Sequence, residues 1–292
     1  MPRRKIGVLH PGEMGVALAR TARNTGHEVL WVSDGRSAIT RRRATEAGLQ
    51  DAGTFNALCA TSELIVSICP PEFAESMARD VAAQRFKGMY VDANAISPAR
   101  ACRIAALMAC HEIVYVDGCV IGLPAAERGE TWIYLSGPEA REAASCFSGG
   151  PLEVEVLGPE ISRASALKMC FAAHTKGIAA LRAAVLGTAR QLGVLDDLDR
   201  QWSRSGPPFA KAVESIQHTA PKAWRFVAEM KEIAATFESA GLPPGFHLAA
   251  AAIFDRLASF KGSKPDLEEA LQRLVSGGLP ADSLYPEKDL KT

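Results

Sequence analysis

Short apolar runs alternate with helix-like stretches over roughly the first half of the chain. Runs rich in Val and Ile and bounded by Gly, Pro, Asn or Asp are typical of buried parallel strands. They occupy residues 5–9, 28–32, 64–69, 89–92 and 113–117. Helical patterns over residues 14–24 and 73–84 lie between them. The alternation predicts right-handed crossovers and a doubly wound α/β sheet, which runs at 131–135 and 154–157 extend.

After Pro159 the periodicity becomes that of helices. Positions separated by three and four residues mark one face of a long helix over about residues 161–192. They are Ala164, Leu167, Phe171, His174, Ile178, Leu181, Val185, Thr188 and Leu192. Further helical patterns follow at 221–240, 246–260 and 265–275, and no strand-like run occurs after residue 157.

Two domains follow from this change of pattern. We predict a dinucleotide-binding domain over residues 1–159 and an all-helical domain over residues 160–292 for substrate binding and dimerisation. A long apolar helix often finds part of its partner surface in a second subunit, so we expect a homodimer. A loosely held polar tail is expected over residues 281–292.

Composition narrows the class of protein. Lys plus Arg and Asp plus Glu both number 33 in 292 residues, and a nucleic-acid binder usually carries a basic excess. The chain lacks an uninterrupted apolar run of the roughly 18–20 residues that a membrane span needs, and its charged start leads straight into a strand. Its seven cysteines are scattered without a C-x-x-C pair. We therefore expect a cytoplasmic protein with reduced thiols and neither nucleic-acid nor membrane partners.

The first strand leads into a glycine-containing turn that opens a helix. Compared with G-x-G-x-x-G, Gly12 and Gly15 are present, and His10 replaces the first glycine. Gly12 would let the backbone approach a pyrophosphate, Gly15 would let the helix pack closely, and the helix N-terminus would offer N–H groups to phosphate. His is among the few non-glycine residues enriched at positive φ, so the missing first glycine is tolerable. The alternative is an ordinary tight turn.

The end of the second strand bears on the choice of nucleotide. An acid at this place reads the ribose hydroxyls of NAD, and Asp34 stands there, whereas a nearby Arg accommodates the 2′-phosphate of NADP. Ser33, Arg36 and Ser37 suit the phosphate, and residues 41–43 add three arginines, of which two are expected on a solvated helix face. We favour NADP as the cofactor, with NAD as the alternative.

Several blocks in order resemble the β-hydroxyacid dehydrogenase superfamily, which contains 3-hydroxyisobutyrate and 6-phosphogluconate dehydrogenases. Residues 6–15 resemble its first strand and turn, residues 67–71 its nicotinamide-side segment, and residues 90–98 and 116–122 its two substrate-binding blocks. Residues 164–177 resemble its catalytic helix, and residues 223–230 resemble the helical domain of a poorly characterised, phosphogluconate-dehydrogenase-like branch. The resemblance implies a Rossmann domain, an oxidoreductase activity and a small-molecule substrate.

The resemblance also implies the site residues. It places the cofactor against His10, Pro11, Gly12, Glu13, Met14, Ser33, Arg36, Ser37, Cys69, Pro70, Pro71 and Asn94. It places the substrate against Asn94, Ile121, Gly122, Lys168, Ala172 and Thr175, with Lys168 as the catalytic lysine. The family has serines at the positions of Asn94 and Ile121 and an asparagine at that of Ala172, so its usual carboxylate cradle does not transfer.

Dehydrogenation of an alcohol needs a group that takes the hydroxyl proton while hydride leaves to nicotinamide, and Lys168 suits this role if burial or nearby positive charge lowers its pKa. Without the resemblance, an interdomain salt bridge would be the first interpretation of Lys168.

Other polar residues of the helical part have simpler interpretations. His174 is expected in the core, Lys176 in solvent, and Arg225 and Glu229 as an exposed pair. Cys170 and His174 lack further ligands at suitable spacing, so no metal site is expected.

Three rival readings stay open. Imine reduction is favoured by the loss of the serine anchors and opposed by the lysine. A non-catalytic sensor of NADPH would bind the nucleotide without turnover, and a plain structural partner would bind none.

Overall fold

The computed structural model describes residues 2–124, 127–205 and 209–276, and the predicted tail at 281–292 lies outside them. The chain divides into two compact units, the first ending at Cys170 and the second beginning at Phe171. The predicted boundary at 159/160 comes earlier. The difference arises because the first turns of the long helix are bonded to the sheet, as described below.

The first unit is built on one sheet with helices between its strands. The strands are β1 Lys5–Val8, β2 Glu28–Trp31, β3 Gln50–Asp51, β4 Leu64–Ser67, β5 Met89–Asp92, β6 Val114–Ile121, β7 Trp132–Ser136 and β8 Glu153–Gly158. The helices are α1 Glu13–Asn24, α2 Ala38–Glu46, α3 Phe55–Thr61, α4 Ala74–Ala83, α5 Pro98–Cys110 and α6 Ala140–Ser145. The sheet order is β3-β2-β1-β4-β5-β6-β7-β8. This is the predicted doubly wound α/β sheet.

Alternation along the strands supplies a core on each face of the sheet. Ile6, Leu64 and Val91 belong to one apolar cluster, whereas their strand neighbours Ile65 and Tyr90 belong to the other. Successive side chains of a strand point to opposite faces, so helices on both faces bury every position of the central strands β4 and β5. The near-continuous apolar strands of the sequence follow from this arrangement.

Two strands, β7 and β8, run against the other six. β7 pairs antiparallel with β6, from Asp117 opposite Ser136 to Ile121 opposite Trp132, and β8 pairs parallel with β7. β6 therefore continues to Ile121, although the sequence pattern predicted its end at residue 117. The additional residues are held by β7 after pairing with β5 has stopped at Asp117.

Parallel register aligns three polar residues at the carboxyl edge of the sheet. Ser67 at the end of β4 is opposite Asp92 at the end of β5, and Asp92 is opposite Asp117 in β6. All three are buried.

The long helix α7 spans Arg163–Gln191, close to the predicted range. The second unit continues with α8 Leu195–Ser205, α9 Phe209–Thr219, α10 Ala223–Ser239, α11 Gly245–Leu257 and α12 Leu267–Ser276. Helices α8 and α9 were not predicted. By length and composition α7 is also apolar enough to cross a membrane, which is weak evidence because core helices pass the same test.

The buried face of α7 differs from the predicted one. The predicted apolar face is largely open, with Phe171 44%, Leu181 50% and Leu192 70% exposed, and His174 is exposed as well. The chain buries mainly small residues of the helix instead, including Ala172, Ala180 and Ala183. Small side chains let helices approach closely, whereas the sequence criterion favours large apolar ones. The expectation of a core His174 was wrong.

Candidate functional site

The turn after β1 brings the two glycines into different surroundings. A Cβ on Gly15 would lie 2.1 Å from the carbonyl oxygen of His10, so close packing of α1 on the turn requires glycine there. A Cβ on Gly12 would meet nothing within 4 Å, and its φ of −68° suits any residue. The protein itself therefore does not require Gly12. The open space beside it suits a ligand that approaches the backbone.

The same turn leaves the start of α1 without a side-chain cap. Gly12 is the N-cap residue and makes no side-chain hydrogen bond to the first turn. Pro11 is buried, Met14 is half-buried and Glu13 is exposed. Uncapped N–H groups together with the helix dipole favour an anion at this end of the helix.

His10 takes the place of the first glycine without a positive φ. The described non-glycine residues with positive φ are Arg85, Glu112 and Ser162. Its carbonyl oxygen instead accepts the N–H of Gly12 at 2.8 Å. Burial, aided by the charge of Arg36, lowers the pKa of His10 to about 4, so the ring is neutral near pH 7. Its Nδ1 atom is buried and has no hydrogen-bond partner in the described part of the chain.

Arg36 follows β2 and reaches the residue that follows β1. Its Nη2 donates to the carbonyl oxygen of Leu9 at 3.1 Å, whereas its buried Nε has no hydrogen-bond partner among the described residues. Burial lowers the pKa of this guanidinium, which nevertheless stays charged at neutral pH. The Arg36 side chain therefore places a half-buried cation beside the turn.

The neighbouring serines are partly engaged in local structure. Ser37 caps α2 by accepting the N–H of Thr40 at 3.3 Å, and the N–H of Ser33 donates to Asp51 Oδ1 at 3.2 Å. Two of the following arginines have acidic neighbours, Arg42 with Glu46 at 3.6 Å and Arg43 with Glu13 at 4.0 Å. Arg36 is thus the better placed cation for a ligand phosphate.

A cavity of about 400 Å³ lies beside Arg36 and Asp34. Its apolar wall is formed by Leu9, Val32, Phe55, Leu58 and Met77. The part of this wall formed by Phe55 and Leu58 was not foreseen, because helix α3, which carries both residues, was not predicted. The cavity offers apolar surface next to a cation, as a flat heteroaromatic ring attached to a phosphorylated sugar would need.

The segment after β4 is held by a hydrogen bond to Asn94, which follows β5. Pro71 is buried, Cys69 and Pro70 are half-buried, and the N–H of Cys69 donates to Asn94 Oδ1 at 2.5 Å. Burial raises the pKa of the Cys69 thiol to about 12, so Cys69 is not a thiolate near pH 7. Asn94 itself is 1% exposed and its amide is bonded inside the protein, so it presents no free amide to a substrate in this structure.

A buried carboxylate anchors the first turn of α7. Asp117 accepts the N–H of Ser165 at 2.9 Å and its hydroxyl at 2.6 Å. The hydroxyl of Ser136 donates to Asp117 at 3.1 Å and accepts the N–H of Ala164 at 3.1 Å. Burial raises the pKa of Asp117, while these donors oppose the shift by stabilising the ionised form.

One helical turn later, Lys168 reaches the same strand. Its Nζ donates to the carbonyl oxygen of Val120 at 2.8 Å, three residues beyond Asp117 in β6. Both contacts connect α7 to β6 with the same spacing of three residues. The amine of Lys168 is thereby held at the carboxyl end of β6, within the first unit.

The residues at the end of β6 have structural reasons for their identity. Ile121 is buried, and Gly122 has a φ of +128°, with the carbonyl oxygen of Glu130 2.5 Å from an added Cβ. Gly122 is therefore required by its positive φ and by the close approach of the two residues before β7, Glu130 and Thr131, whatever contact it makes with a ligand. Ala172 is buried in the second unit, and the exposed Thr175 bonds its hydroxyl to the carbonyl of Phe171 at 3.2 Å.

Two expectations for the helical unit were wrong. Lys176 is not solvated, because it pairs with Glu229 at 2.8 Å, and the two side chains are 17% and 10% exposed. The expected exposed pair is not found either, because Glu229 is buried, whereas Arg225 is exposed with its guanidinium 5.6 Å from the ring centroid of Trp224. The amine of Lys176 also lies 5.1 Å from the ring centroid of Phe226. This buried pair carried no sequence signal, since its partners are 53 residues apart.

Comparisons with known families match both parts of the chain. Residues 5–146 match the NAD binding domain of 6-phosphogluconate dehydrogenase, and residues 189–257 match a domain of unknown function, DUF1932. An uncharacterized 28.5 kDa protein of Methanothermus fervidus is 29% identical over 194 residues, covering 66% of this chain and 74% of that protein.

Solved structures of similar fold cover nearly the whole chain. Conserved protein MTH1747, of unknown function and similar in structure to 3-hydroxyacid dehydrogenases, is 27% identical, with a TM-score of 0.63 over 92% of this chain and 99% of that one. A Mycobacterium tuberculosis 3-hydroxyisobutyrate dehydrogenase is 18% identical, with a TM-score of 0.68 over 94% and 100%. An imine reductase from Myxococcus stipitatus, in complex with NADP+, is 19% identical, with a TM-score of 0.54 over 94% and 99%. The latter two show the fold alone.

Proposed function

We propose that this chain, which matches the NAD binding domain of 6-phosphogluconate dehydrogenase over residues 5–146 and a DUF1932 domain over residues 189–257, is an NADP-preferring oxidoreductase. It transfers hydride between nicotinamide and a hydroxy or oxo group of a small molecule. The observation that carries this proposal is the uncapped start of α1, with open space at Gly12, next to the half-buried Arg36. Such a helix end binds the pyrophosphate of a dinucleotide.

The residues at the end of β2 support NADP over NAD. Arg36 is charged and held against Leu9, and its Nε lacks a hydrogen-bond partner among the described residues, so a phosphate oxygen would complete its bonding. The cavity beside Arg36 and Asp34 has room for the adenine. Asp34 is exposed and is the group that would read the ribose hydroxyls of NAD.

Lys168 is proposed as the general acid and base. The bound cofactor supplies the site that accepts or donates hydride. In the oxidative direction the neutral amine of Lys168 takes the proton of the substrate hydroxyl, and in the reductive direction its ammonium returns that proton. The bond to Val120 holds the amine in place until the substrate oxygen replaces the carbonyl as its partner.

Imine reduction is the second candidate, and the position of Asn94 favours it. The amide of Asn94 is bonded inside the protein and Ile121 is apolar, so neither residue offers the polar anchor that a hydroxy acid needs. Lys168 argues the other way, because imine reductases of this fold usually place Asp or Tyr there.

The test is a substrate panel that follows NADPH absorbance, with 3-hydroxy acids, their oxo forms and cyclic imines in parallel. Turnover of a hydroxy or oxo substrate, abolished in Lys168→Ala, supports the proposal, whereas turnover of cyclic imines alone supports imine reduction. Binding of NADPH without any turnover, unchanged in Lys168→Ala, supports a nucleotide sensor. The exposed lysine Lys231 provides the control variant Lys231→Ala.

We also propose that the chain forms a homodimer through the open face of α7. This face carries Phe171, Ile178, Leu181, Val185 and Leu192. Their positions are nearly symmetric about the middle of the segment, between residues 181 and 182. Two antiparallel copies would therefore place Phe171 opposite Leu192 and Ile178 opposite Val185, as a two-fold axis requires. Sedimentation velocity should give a dimer for the wild type and a monomer for Leu181→Glu.

The proposed compartment is the cytoplasm. The seven cysteines are all free thiols, as reducing conditions maintain. Burial raises the pKa of Cys59 and of Cys119 to about 12, so these thiols are small buried groups rather than nucleophiles.

A further inference from the structure

A chain of hydrogen bonds joins the ends of β4 and β5 beneath the candidate cofactor site. Nδ2 of Asn94 donates to Asp92 Oδ1 at 2.6 Å and to Ser67 Oγ at 3.1 Å. Oδ1 of Asn94 accepts the N–H of Cys69 at 2.5 Å. The backbone N–H of Asn94 also donates to Asp92 Oδ1, at 3.1 Å.

These contacts define which way the amide of Asn94 faces. Its acceptor oxygen must meet the N–H of Cys69, and its two donors must meet the carboxylate of Asp92 and the hydroxyl of Ser67. An Asp at this position would set a second carboxylate against Asp92, and a Ser is too short to reach both strands. Asn94 therefore cross-links two turns. The family that this chain resembles has a substrate-binding serine at this position.

We propose that Asp92 and Asn94 are positioning residues that hold the turn at Cys69, Pro70 and Pro71 in the geometry that receives the dinucleotide, and that protonation of Asp92 loosens this hold. The inference rests on the proposed function in one respect, namely that this turn contacts the cofactor. The clamp of Asp92, Asn94 and the N–H of Cys69 is a property of the protein alone.

The proton is assigned to Asp92 because of the groups that face it. Asp117 and Tyr115 face it from β6, Tyr90 from its own strand and Cys69 from the segment after β4. Asp117 accepts three hydrogen bonds from Ser165 and Ser136, which stabilise its ionised form. The hydroxyl of Tyr115 lies 3.4 Å from Asp92 Oδ2, a longer contact that leaves this oxygen able to carry a proton.

Burial raises the pKa of Asp92 to about 7, and the neighbouring charge of Asp117 adds to the effect. An ionised carboxylate accepts hydrogen bonds about twice as strong as those of a neutral acid. Oδ1 of Asp92 therefore holds both N–H donors of Asn94 more tightly above this pH than below it. The N–H of Cys69, which depends on the orientation of Asn94, is held accordingly.

Hydrogen exchange at the amide of Cys69 tests the clamp in the cofactor-free protein. After correction for intrinsic rates, protection should rise as the pH increases from about 6 to about 8, because Asp92 ionises over this range. Asn94→Ala should lose roughly tenfold in protection near pH 8, the effect expected for one buried hydrogen bond, and less near pH 6, where the hold of the wild type is already weaker. Asp92→Asn, which keeps the shape of the side chain, should lose the pH dependence.

The control is Asn24→Ala, because the Nδ2 of Asn24 also holds a distant backbone carbonyl, that of Gly150 at 2.9 Å. It should leave the exchange of Cys69 unchanged. Unchanged protection in Asn94→Ala, or a pH dependence that survives in Asp92→Asn while the variant melts cooperatively, would overturn the clamp.

The affinity for NADPH separates this inference from the proposed function. Tighter binding above about pH 7 in the wild type, absent in Asp92→Asn, supports the role of the clamp at the cofactor. Wild-type affinity that does not vary with pH overturns that role and leaves the proposed function intact. Absence of any binding, with the exchange pattern as expected, supports the clamp and overturns both the proposed function and its link to the cofactor.

Discussion

Lys168 and Ser165 reach β6 three residues apart, and their partners Val120 and Asp117 are also three residues apart. The carboxylate of Asp117 fixes the start of α7, and the carbonyl of Val120 receives the amine one turn later. The position of Lys168 therefore depends on the sheet and on the first turn of the helix.

Substitution of Lys168 tests its role in proton transfer. Lys168→Ala should lower kcat about 100- to 10,000-fold, the usual contribution of a general acid or base. Lys168→Arg should be nearly as inactive, because Arg donates to Val120 but cannot give up a proton at neutral pH. Steady-state kinetics on any substrate found in the panel measure this, with Lys231→Ala as the control. Recovery of activity in the Arg variant would show that the charge alone is needed.

The two glycines of the first turn should respond differently to alanine. Gly12→Ala meets open space at an ordinary φ, so its melting temperature should stay near that of the wild type while its affinity for NADPH falls. Gly15→Ala forces a Cβ to within 2.1 Å of the His10 carbonyl oxygen. A loss of about 1–3 kcal/mol in the free energy of unfolding is expected. Thermal melts and NADPH titration of both variants check this, and equal behaviour would contradict it.

Removal of Arg36 tests the preference for NADP. Arg36→Ala should weaken NADPH about 10- to 100-fold, as the loss of a charge-assisted phosphate contact implies. Binding of NADH should change little, so the ratio of the two affinities is the informative quantity. Arg42→Ala, which removes an exposed arginine paired with Glu46, is the control. A parallel loss for both nucleotides would assign Arg36 to the structure of the turn instead.

Asp92 should make the stability of the protein depend on pH. Its pKa in the folded protein is raised from 3.8 to about 7, chiefly by burial. Its contribution is therefore fully present below pH 3.8 and is lost as the pH rises through about 7. Relative to Asp92→Asn, the wild type should lose up to about 4 kcal/mol of unfolding free energy across this window. Urea unfolding at several pH values measures the difference, and a constant difference would contradict the assignment.

The buried pair Lys176 and Glu229 should be expensive to break. Lys176→Ala alone should cost about 3–5 kcal/mol of unfolding free energy, because it removes the cation that pairs with the buried carboxylate of Glu229. The double variant Lys176→Met with Glu229→Leu should cost less than the sum of the single changes. Chemical denaturation provides the values. Additive effects would show that the pair is not coupled.

Apolar runs and apolar periodicity predicted the elements that carry many large apolar side chains. Seven of the eight strands and the long helix were found this way, whereas the short polar strand β3 leaves no apolar signal and was missed. Helices α8 and α9 were missed, and the buried face of α7 was misassigned because Ala172, Ala180 and Ala183 carry little hydropathy. Close packing of small residues is visible only when the neighbouring backbone is known.

Some features of the candidate site were predictable from local sequence, and others depend on contacts between distant segments. Gly12, Gly15 and Arg36 follow from local sequence, because a strand, a turn and a helix in succession determine their surroundings. The contacts of Asn94 with Cys69 and of Lys168 with Val120 join segments 25 and 48 residues apart. Such contacts depend on strand order and register, which no local pattern contains. Asn94 was therefore predicted at the right edge of the sheet, but its engagement inside the protein was not foreseen.

Titration of the wild-type protein with NADPH and NADH by calorimetry measures dinucleotide binding itself. We expect saturable binding of NADPH with a Kd below about 0.1 mM and weaker binding of NADH. Failure of both nucleotides to bind at about 1 mM would show that the start of α1 is an ordinary turn and that the protein is not a dinucleotide-dependent enzyme.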